Sequence, residues 1–183
     1  MGRPAQTSRA EVLNAALAIA DEHGIGAVTM QAVARRLGVT PMALYHHVAS
    51  KSDLLDGLVE LLLTGFPLRC PDKPWTEQLG QLAHGLRDAA AAHPGVFPLL
   101  LQRPARTTAA VEIRDAACAA LQDAGLSGQD AARAERLIST AVLGFAASEA
   151  AGRFAHHDRA VLDADFACLL RTLGTMIRDL AGG

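Results

Sequence analysis

The segment Thr29–Lys51 contains two short helical patterns separated by a turn of fixed length. Thr29 is a good N-cap for the first helix, and Gly38 follows its last apolar residue, where glycine readily adopts the left-handed conformation that ends a helix. Thr40 and Pro41 then supply the N-cap and the first-turn proline of a second helix. This spacing predicts a helix-turn-helix, although the turn alone would also fit other hairpins of two helices.

Capping boxes flank this segment on both sides. Ser8 and Glu11 are spaced to begin an upstream helix, and Ser50 and Asp53 are spaced to begin another helix immediately after the helix-turn-helix. Together these signals predict a compact head in which the second helix of the turn is held rigidly. The predicted units are a three-helix head at residues 1–50 and a connecting helix at residues 51–64.

Four stretches of this region resemble the tetracycline repressor (TetR) family of bacterial transcriptional regulators. They are the leader GRP, the helix EVLNAALAIADEHG, the run TMQAVARRLGV and the run LYHHVASKSDLLDGL. The resemblance covers roughly residues 8–63, and beyond residue 65 it is one of helix pattern and length. It implies an all-α fold with an N-terminal three-helix helix-turn-helix DNA-binding domain, a connecting helix and a C-terminal helical ligand-binding and dimerisation domain.

The resemblance also implies which residues contact DNA. A glutamine amide can pair with adenine, alanine and methionine can contact thymine methyl groups, and the ammonium of Lys51 can reach a phosphate. The tetracycline repressor uses more polar side chains at the front of its reading helix, so we expect a different operator. The expected DNA contacts are Thr29, Gln31, Thr40, Pro41, Met42, Ala43, Tyr45, His46, His47 and Lys51.

Charge is unevenly distributed along the chain. Residues 1–51 hold five Lys/Arg and three Asp/Glu, whereas the remaining residues hold 12 Lys/Arg and 16 Asp/Glu. A mildly basic head on an acidic body suits a protein that meets phosphates at one end, although an ordinary solvated surface would also give this small excess. Because the net charge of the chain is −2, two heads acting together are expected to supply the affinity for DNA.

The rest of the chain is rich in alanine and leucine and shows no strand-like alternation, which favours helices throughout. Three prolines between Gly65 and Pro74 interrupt the connecting helix and mark the start of a second domain at residues 65–183. A short apolar segment at residues 96–101 follows the first helix of this domain. The predicted helices span about residues 75–92, 107–124, 127–154 and 163–180.

The last two of these helices predict how the chain assembles. The run Leu137–Gly152 is rich in small residues and nearly devoid of charge, and the final helix has apolar residues near heptad spacing. The resemblance implies that the pair forms a four-helix interface in a homodimer, whereas a monomer with two core helices is the alternative. A two-fold dimer would let two heads read a palindromic operator.

The second domain is also the expected place for a small-molecule effector, because helix bundles bind ligands in apolar pockets between their helices. Glu149 is notable in this respect since it interrupts an apolar helix, although it could equally be a surface or interface residue. The residues expected to line the pocket are Trp75, Leu86, His93, Phe97, Leu100, Leu101, Phe145, Ser148 and Glu149.

Other chemistry has little support in the sequence. The three cysteines are far apart and predict neither a disulfide framework nor a zinc site. The cluster His156-His157-Asp158 is not expected to bind a metal, because adjacent side chains on a helix point in different directions. No arrangement of nucleophile, base and orienting group indicates an enzyme, and no cofactor is expected. No apolar run or leader indicates a membrane span or secretion, so we expect a cytoplasmic protein.

The sequence therefore predicts a homodimeric repressor that leaves a palindromic operator when a small apolar or amphipathic effector binds. In this hypothesis the effector tilts the connecting helix and changes the separation of the two reading helices. One alternative is a constitutive DNA-binding regulator without a small-molecule response. The other is a helical ligand-binding protein with a non-functional DNA-binding head.

Overall fold

The computed structural model describes residues 7–66 and 72–182, and all the regular elements in these two ranges are helices. The predicted all-α fold is thus confirmed. The leader Gly2–Pro4 and Cys70 lie outside the described residues, whereas Cys118 and Cys168 are free thiols. The helices are α1 (Arg9–His23), α2 (Met30–Leu37), α3 (Pro41–Leu44), α4 (Lys51–Leu63), α5 (Trp75–Ala92), α6 (Leu99–Gln102), α7 (Thr108–Asp123), α8 (Gly128–Ala150) and α9 (Arg159–Gly182), with a 3-10 turn at Ile25–Ala27.

The caps predicted for the head are present in the structure. Ser8 and Glu11 form a reciprocal capping box at the start of α1, and the Thr29 hydroxyl accepts a hydrogen bond from the backbone N–H of Ala32 at 3.0 Å. Gly38 ends α2 with φ +69, in the left-handed region where a side chain would be strained. Sequence-local hydrogen bonding therefore determines where the helices of the head begin and end.

The second helix of the predicted helix-turn-helix is shorter than its periodicity suggests. Only Pro41–Leu44 is regular α-helix, and hydrogen-bonded turns follow, with the N–H of His47 donating to the carbonyl of Leu44 at 2.8 Å. The prediction that Leu44 and Val48 face inward is confirmed, because both side chains are fully buried. We call residues 41–48 the reading segment.

The predicted head, residues 1–50, and the predicted second domain, residues 65–183, which we call the body, share one contiguous set of buried apolar side chains. It runs from Val12 in α1 through Leu54 and Leu58 in α4 to Phe166 in α9. At the crossing of α1 and α4, a Cβ added to Gly57 would come within 2.5 Å of the Leu13 side chain. The helix α4 is therefore packed tightly against the head and also belongs to the core of the body.

The loop between the last two helices corrects two predicted boundaries. The helix α8 ends at Ala150 rather than near residue 154, and Gly152 follows it with φ +75. The helix α9 begins at Arg159, four residues before the predicted start, because the carbonyl of Asp158 accepts the first backbone hydrogen bonds, from Val161 at 3.0 Å and Leu162 at 3.2 Å. Apolar periodicity missed this first turn because all its side chains except that of Leu162 are exposed.

The turn after α5 lies directly against the end of α1. The Nδ1 atom of His93 is 2.8 Å from a carboxylate oxygen of Asp21, and a Cβ built on Gly95 would lie 2.0 Å from the carbonyl oxygen of Ala20. Only a residue without a side chain permits this approach of two backbones. This contact, which we call the head–body junction, fixes the head on the body independently of α4.

Candidate nucleic-acid interface and internal cavity

Most of the residues predicted to contact DNA are exposed on the head. Met42 has 72% and Tyr45 has 49% of its surface accessible, although both are large and largely apolar. Of the ten predicted residues, Ala43 and His47 are half-buried and the other eight are exposed. Exposed aromatic and thioether side chains next to polar ones are available to a partner surface, so the placement is compatible with the predicted role, which stays a prediction.

The N-terminal ends of α2 and α4 carry polar groups that stay open to solvent. Gln31 lies in the first turn of α2, and Lys51 is the first residue of α4. Free backbone N–H groups at such ends attract anions, and a lysine beside them adds a full positive charge. The expectation that these two helix ends meet phosphate groups stays a prediction.

A hydrogen-bonded ion pair links the start of α1 to the end of the reading segment. Arg9 donates through Nη1 to the carbonyl of His47 at 2.7 Å, and its two Nη atoms donate to Asp53 at 2.7 and 3.1 Å. Asp53 also accepts from the N–H of Ala49 at 2.7 Å. The hydrogen bond from Arg9 holds the pKa of the Asp53 carboxyl below its ordinary value, and Asp53 in turn raises the pKa of Arg9.

This pairing revises the capping box predicted at the start of α4. The Ser50 hydroxyl accepts from the N–H of Asp53 at 3.1 Å, as predicted. The carboxylate of Asp53, however, binds the N–H of Ala49 and the side chain of Arg9 rather than completing the box. Sequence reasoning missed the partnership because Arg9 and Asp53 are 44 residues apart.

The body contains a cavity of about 410 Å³ with a predominantly apolar lining. Its wall is formed by residues of α4, α5, α7 and α8 together with the segment 100–105. Three of the predicted pocket residues, Leu86, Leu100 and Leu101, line it. Polar groups are few, and the charged residues among them are Arg103, Arg114, Glu135 and Arg136. The cavity is thus large enough for a small organic molecule with a mostly apolar body.

The other six predicted pocket residues lie outside this cavity. Periodicity can place a residue on the inner face of a helix, but it does not show which interface of a bundle leaves space. Trp75 packs on a second apolar cluster around Leu121 and Ile177, and Phe97 is fully buried in the main core. The remaining four are His93, at the head–body junction, Phe145, whose ring packs on Phe154 and Phe166, Ser148, half-buried on α8, and Glu149.

Glu149 has a structural partner that explains its place in an apolar helix. It accepts two hydrogen bonds from the buried guanidinium of Arg87, at 2.6 and 2.7 Å. Arg87 also contacts Asp163 of α9 at 2.8 Å and lies 4.8 Å from the ring centre of Phe166. The hydrogen bond to Glu149 raises the pKa of Arg87. Because Arg87 lies on α5 and contacts both Glu149 of α8 and Asp163 of α9, its side chain joins these three helices.

Two further contacts connect the wall of the cavity to α4. Arg103, a cavity residue, donates to Asp56 at 2.8 Å and to the Ser52 hydroxyl at 2.7 Å. The carboxylate of Glu60 accepts from the N–H of Ala109 at 2.9 Å, at the start of α7. No local sequence signal predicted either contact, since each joins residues about 50 positions apart.

Glu135 is the acidic side chain of the cavity wall. Burial raises the pKa of its carboxyl above the ordinary value, which outweighs the opposing effects of Ser139, Arg114 and Arg136. Burial likewise raises the pKa of the nearby Cys118 thiol, which makes that cysteine less reactive. The cavity therefore contains one carboxyl group that favours the protonated form more than a solvent-exposed glutamate does.

A membrane-spanning helix and a metal-binding cluster are both absent from residues 7–66 and 72–182. No helix there is long and apolar enough to cross a membrane, and no group of three His, Cys, Asp or Glu side chains is arranged to hold a metal ion. The residues His156, His157 and Asp158 lie exposed in the turn between α8 and α9.

Comparison with known proteins gives matches over most of the chain. The family profile described as "Bacterial regulatory proteins, tetR family" matches residues 12–58, and "Tetracyclin repressor-like, C-terminal domain" matches residues 66–172. A curated relative, the tetracycline repressor protein class A from transposon 1721 of Escherichia coli, is 33% identical over 151 residues, which are 77% of this chain. The chain spans 66% of the length of that repressor.

Three solved structures are similar over nearly their full length. BioQ of Mycobacterium smegmatis has a TM-score of 0.85 and 30% identity, covering 95% of this chain and 99% of that chain. BioQ with its double-stranded DNA operator has a TM-score of 0.79 and 30% identity, with 94% and 99% covered. A TetR variant from Acinetobacter baumannii AYE in complex with minocycline has a TM-score of 0.83 and 26% identity, with 96% and 98% covered.

Proposed function

The chain belongs to the tetR family of bacterial regulatory proteins, and we propose that it is a homodimeric transcriptional repressor that a small apolar or amphipathic molecule releases from a palindromic operator. The observation that carries the proposal is one helix, α4, which begins beside the reading segment and also lines the cavity through Val59 and Leu63. The division into a head at 1–50, a connecting helix at 51–64 and a body at 65–183 is part of this proposal.

DNA binding is supported by the exposed surface of the head and by a relative. The operator complex of BioQ shows that a protein 30% identical to this chain binds double-stranded DNA. In this chain the phosphates would meet the N-terminal ends of α2 and α4, and the bases would meet Met42, Ala43 and their neighbours. The apolar front of this surface favours contacts with thymine methyl groups over hydrogen bonds to guanine.

Dimer formation is supported by apolar and small residues left exposed on the last two helices. Leu137 on α8 and Val161 and Leu180 on α9 remain 43–52% accessible. A Cβ added to Gly144 of α8 would contact nothing within 4 Å, so this helix has an open face of small residues in the protomer. A second copy packed there would cover apolar surface and place two heads for a palindrome.

Effector coupling is supported by the contacts between the cavity wall and α4. A molecule in the cavity would press on Val59 directly and on Arg103, which holds Asp56 and Ser52 through hydrogen bonds. Movement of Arg103 would therefore change the position of α4 and of Lys51 at its start. A coupling free energy of about 1 to 3 kcal/mol between the sites would weaken operator binding roughly 5- to 150-fold.

Selection of bound duplexes from random DNA tests the first part of the proposal. We expect enrichment of a palindrome whose half-sites are separated by a whole number of helical turns, each about 10 to 10.5 base pairs. Failure to enrich a common sequence would overturn the repressor function and favour a helical ligand-binding protein with a non-functional head.

Oligomeric state tests the interface. Gly144→Arg has room in the protomer but would block the close approach of a second copy, so we expect a monomer by analytical ultracentrifugation. Gly80→Arg is the matched control, because a Cβ at Gly80 of α5 also contacts nothing within 4 Å. A Gly144→Arg protein that stays dimeric would place the interface elsewhere.

A gel shift with the selected duplex tests the effector, using apolar and amphipathic compounds small enough for the cavity, minocycline among them. We expect at least one compound to release the DNA from the wild-type protein. Ala117→Phe, in the cavity wall, should abolish that release without weakening DNA binding. Ala119→Phe, on the same helix but outside the cavity wall, should leave both the release and the DNA binding unchanged. Release that persists in Ala117→Phe would exclude this cavity, and no release by any compound would favour a constitutive regulator.

A further inference from the structure

We propose that Arg9 and Asp53 are positioning residues for DNA recognition, which hold the end of the reading segment and the start of α4 in the arrangement that fits DNA. This inference rests on the proposed DNA-binding function. Neither residue belongs to the exposed surface assigned to DNA. The role follows from what their hydrogen bonds hold in place.

The ion pair bonds the backbone at both sides of the link between the reading segment and α4. Arg9 holds the carbonyl of His47 at 2.7 Å, and Asp53 holds the N–H of Ala49 at 2.7 Å. Both groups lie within the four residues that precede Lys51, and the Ser50 hydroxyl accepts from the N–H of Asp53 at 3.1 Å. Residues 47–53 are therefore fixed by a closed set of hydrogen bonds centred on one carboxylate.

The geometry of the pair gives it more order than an ordinary surface ion pair. The guanidinium uses both Nη atoms on both carboxylate oxygens, at 2.7 and 3.1 Å, and Nη1 also reaches the carbonyl of His47. Two parallel N–H···O bonds fix the relative orientation of the guanidinium and the carboxylate as well as the distance between them. A lysine at position 9 has the charge but not the planar fork, so it would restore attraction without restoring the orientation.

A second ion pair in the same head provides a matched comparison. Arg36 donates to Glu22 in the same two-bond arrangement, at 2.7 and 2.6 Å, between α1 and α2. Both acids are partly accessible, with 33% of the Asp53 side chain and 46% of the Glu22 side chain exposed. The Arg36–Glu22 pair makes no hydrogen bond to the reading segment, so its removal changes charge and stability alone.

The sign of the effect on affinity separates positioning from plain electrostatics. Removing a negative charge from a DNA-binding head reduces repulsion of the phosphates, so charge alone predicts tighter binding for both Asp53→Asn and Glu22→Gln. Positioning predicts the opposite for Asp53→Asn only, because residues 47–51 lose their fixed place. The two substitutions change the formal charge equally and leave side-chain size nearly unchanged.

The experiment measures Kd by fluorescence anisotropy on a duplex selected from random DNA with the wild-type protein, and on a mixed-sequence duplex at low salt. All proteins are compared well below their melting temperatures, with folding checked by circular dichroism. We expect Asp53→Asn and Arg9→Ala to weaken binding to the selected duplex about tenfold or more and to reduce the salt slope by about one per head, as loss of the Lys51 phosphate contact would. Arg9→Lys should recover only part of the affinity, and Glu22→Gln should bind as well as the wild type or better.

The outcomes separate this inference from the function on which it rests. A wild-type chain that binds neither duplex would overturn the proposed function. A wild-type chain that binds, with Asp53→Asn as tight as Glu22→Gln, would overturn the positioning role and leave the function intact. Equal weakening by Asp53→Asn and Glu22→Gln would also overturn it, because a general loss of head stability would then explain both.

Discussion

Gly95 lies where the two backbones of the head–body junction approach most closely, and the substitution Gly95→Ala measures how rigid that contact is. The added Cβ would lie 2.0 Å from the carbonyl oxygen of Ala20, 2.6 Å from its carbonyl carbon and 3.1 Å from the nitrogen of Asp21. All three are backbone atoms of α1, so no side-chain rotation can make room. The chain must instead separate the turn after α5 from the end of α1.

The size of the required movement follows from ordinary contact distances. Carbon and carbonyl oxygen atoms in contact are about 3.3 Å apart or more, so the junction must open by roughly 1.3 Å at this point. The nearby hydrogen bond between His93 and Asp21, 2.8 Å long, would be stretched by the same movement. Forcing extra atoms into a packed site costs about 1 to 3 kcal/mol. For a chain of this length, each kcal/mol corresponds to about 2 to 4 °C in Tm, so Tm should fall by about 2 to 12 °C.

Thermal unfolding followed by circular dichroism at fixed protein concentration is a suitable assay. Gly80→Ala is the control, since its Cβ would contact nothing within 4 Å and the residue lies within α5. Replacing a helical glycine by alanine should raise stability by about 0.5 to 1 kcal/mol. If Gly95→Ala melted at or above the wild-type temperature, the close approach at the junction would not be a tight contact and the reasoning would be refuted.

Three other predictions follow from single contacts. Lys51→Ala should weaken DNA binding about evenly across sequences and lower the salt slope by about one for each bound head, whereas a change in base preference would contradict the phosphate role. Glu149→Ala should lower the free energy of unfolding, measured in urea, by about 2 to 4 kcal/mol, because the buried guanidinium of Arg87 keeps only its partly exposed partner Asp163. A loss below about 1 kcal/mol would contradict a stabilising role for the Arg87–Glu149 pair. Glu135→Gln should raise Tm at pH 8 and not near pH 4. The pKa of the Glu135 carboxyl is raised in the folded protein, so the folded state loses stability as the pH rises through that pKa, and glutamine avoids this loss. Equal shifts in Tm at both pH values would show that burial of the charge is not the cause.

The helices of the head were predictable because local rules determine them. Thr29, Gly38 and Thr40 act within four residues of their own positions, and each has the predicted conformation or hydrogen bond. The start of α9 at Arg159 was missed for the opposite reason, since its first turn carries no buried apolar residue except Leu162. Local signals thus predict an element wherever capping or apolar periodicity is strong. Where both are weak, the predicted boundary of a helix differs from the observed one.

The cavity was only partly predictable because its existence depends on how five segments meet. Leu86 and Phe97 are both apolar residues that were expected in the pocket, yet Leu86 lines the cavity whereas Phe97 fills the core. Glu149 was singled out because it interrupts an apolar helix, and the interruption is explained by Arg87, which lies 62 residues away. A charged residue in an apolar run therefore indicated a buried partner rather than a ligand, and only the three-dimensional arrangement identifies which.

The acidic residues of α4 show the same limit and connect the two ends of the proposed mechanism. Asp53, Asp56 and Glu60 follow a spacing of three and four residues, so they share one side of the helix. A solvated charged face would give the same pattern, but each carboxylate binds a different element: Asp53 binds Arg9 of α1, Asp56 binds Arg103, and Glu60 binds the first turn of α7. The first contact belongs to the head and the other two to the wall of the body. Since α4 is a continuous helix, any displacement of Arg103 and the start of α7 must either break these bonds or move the end of α4 at which Asp53 holds the reading segment.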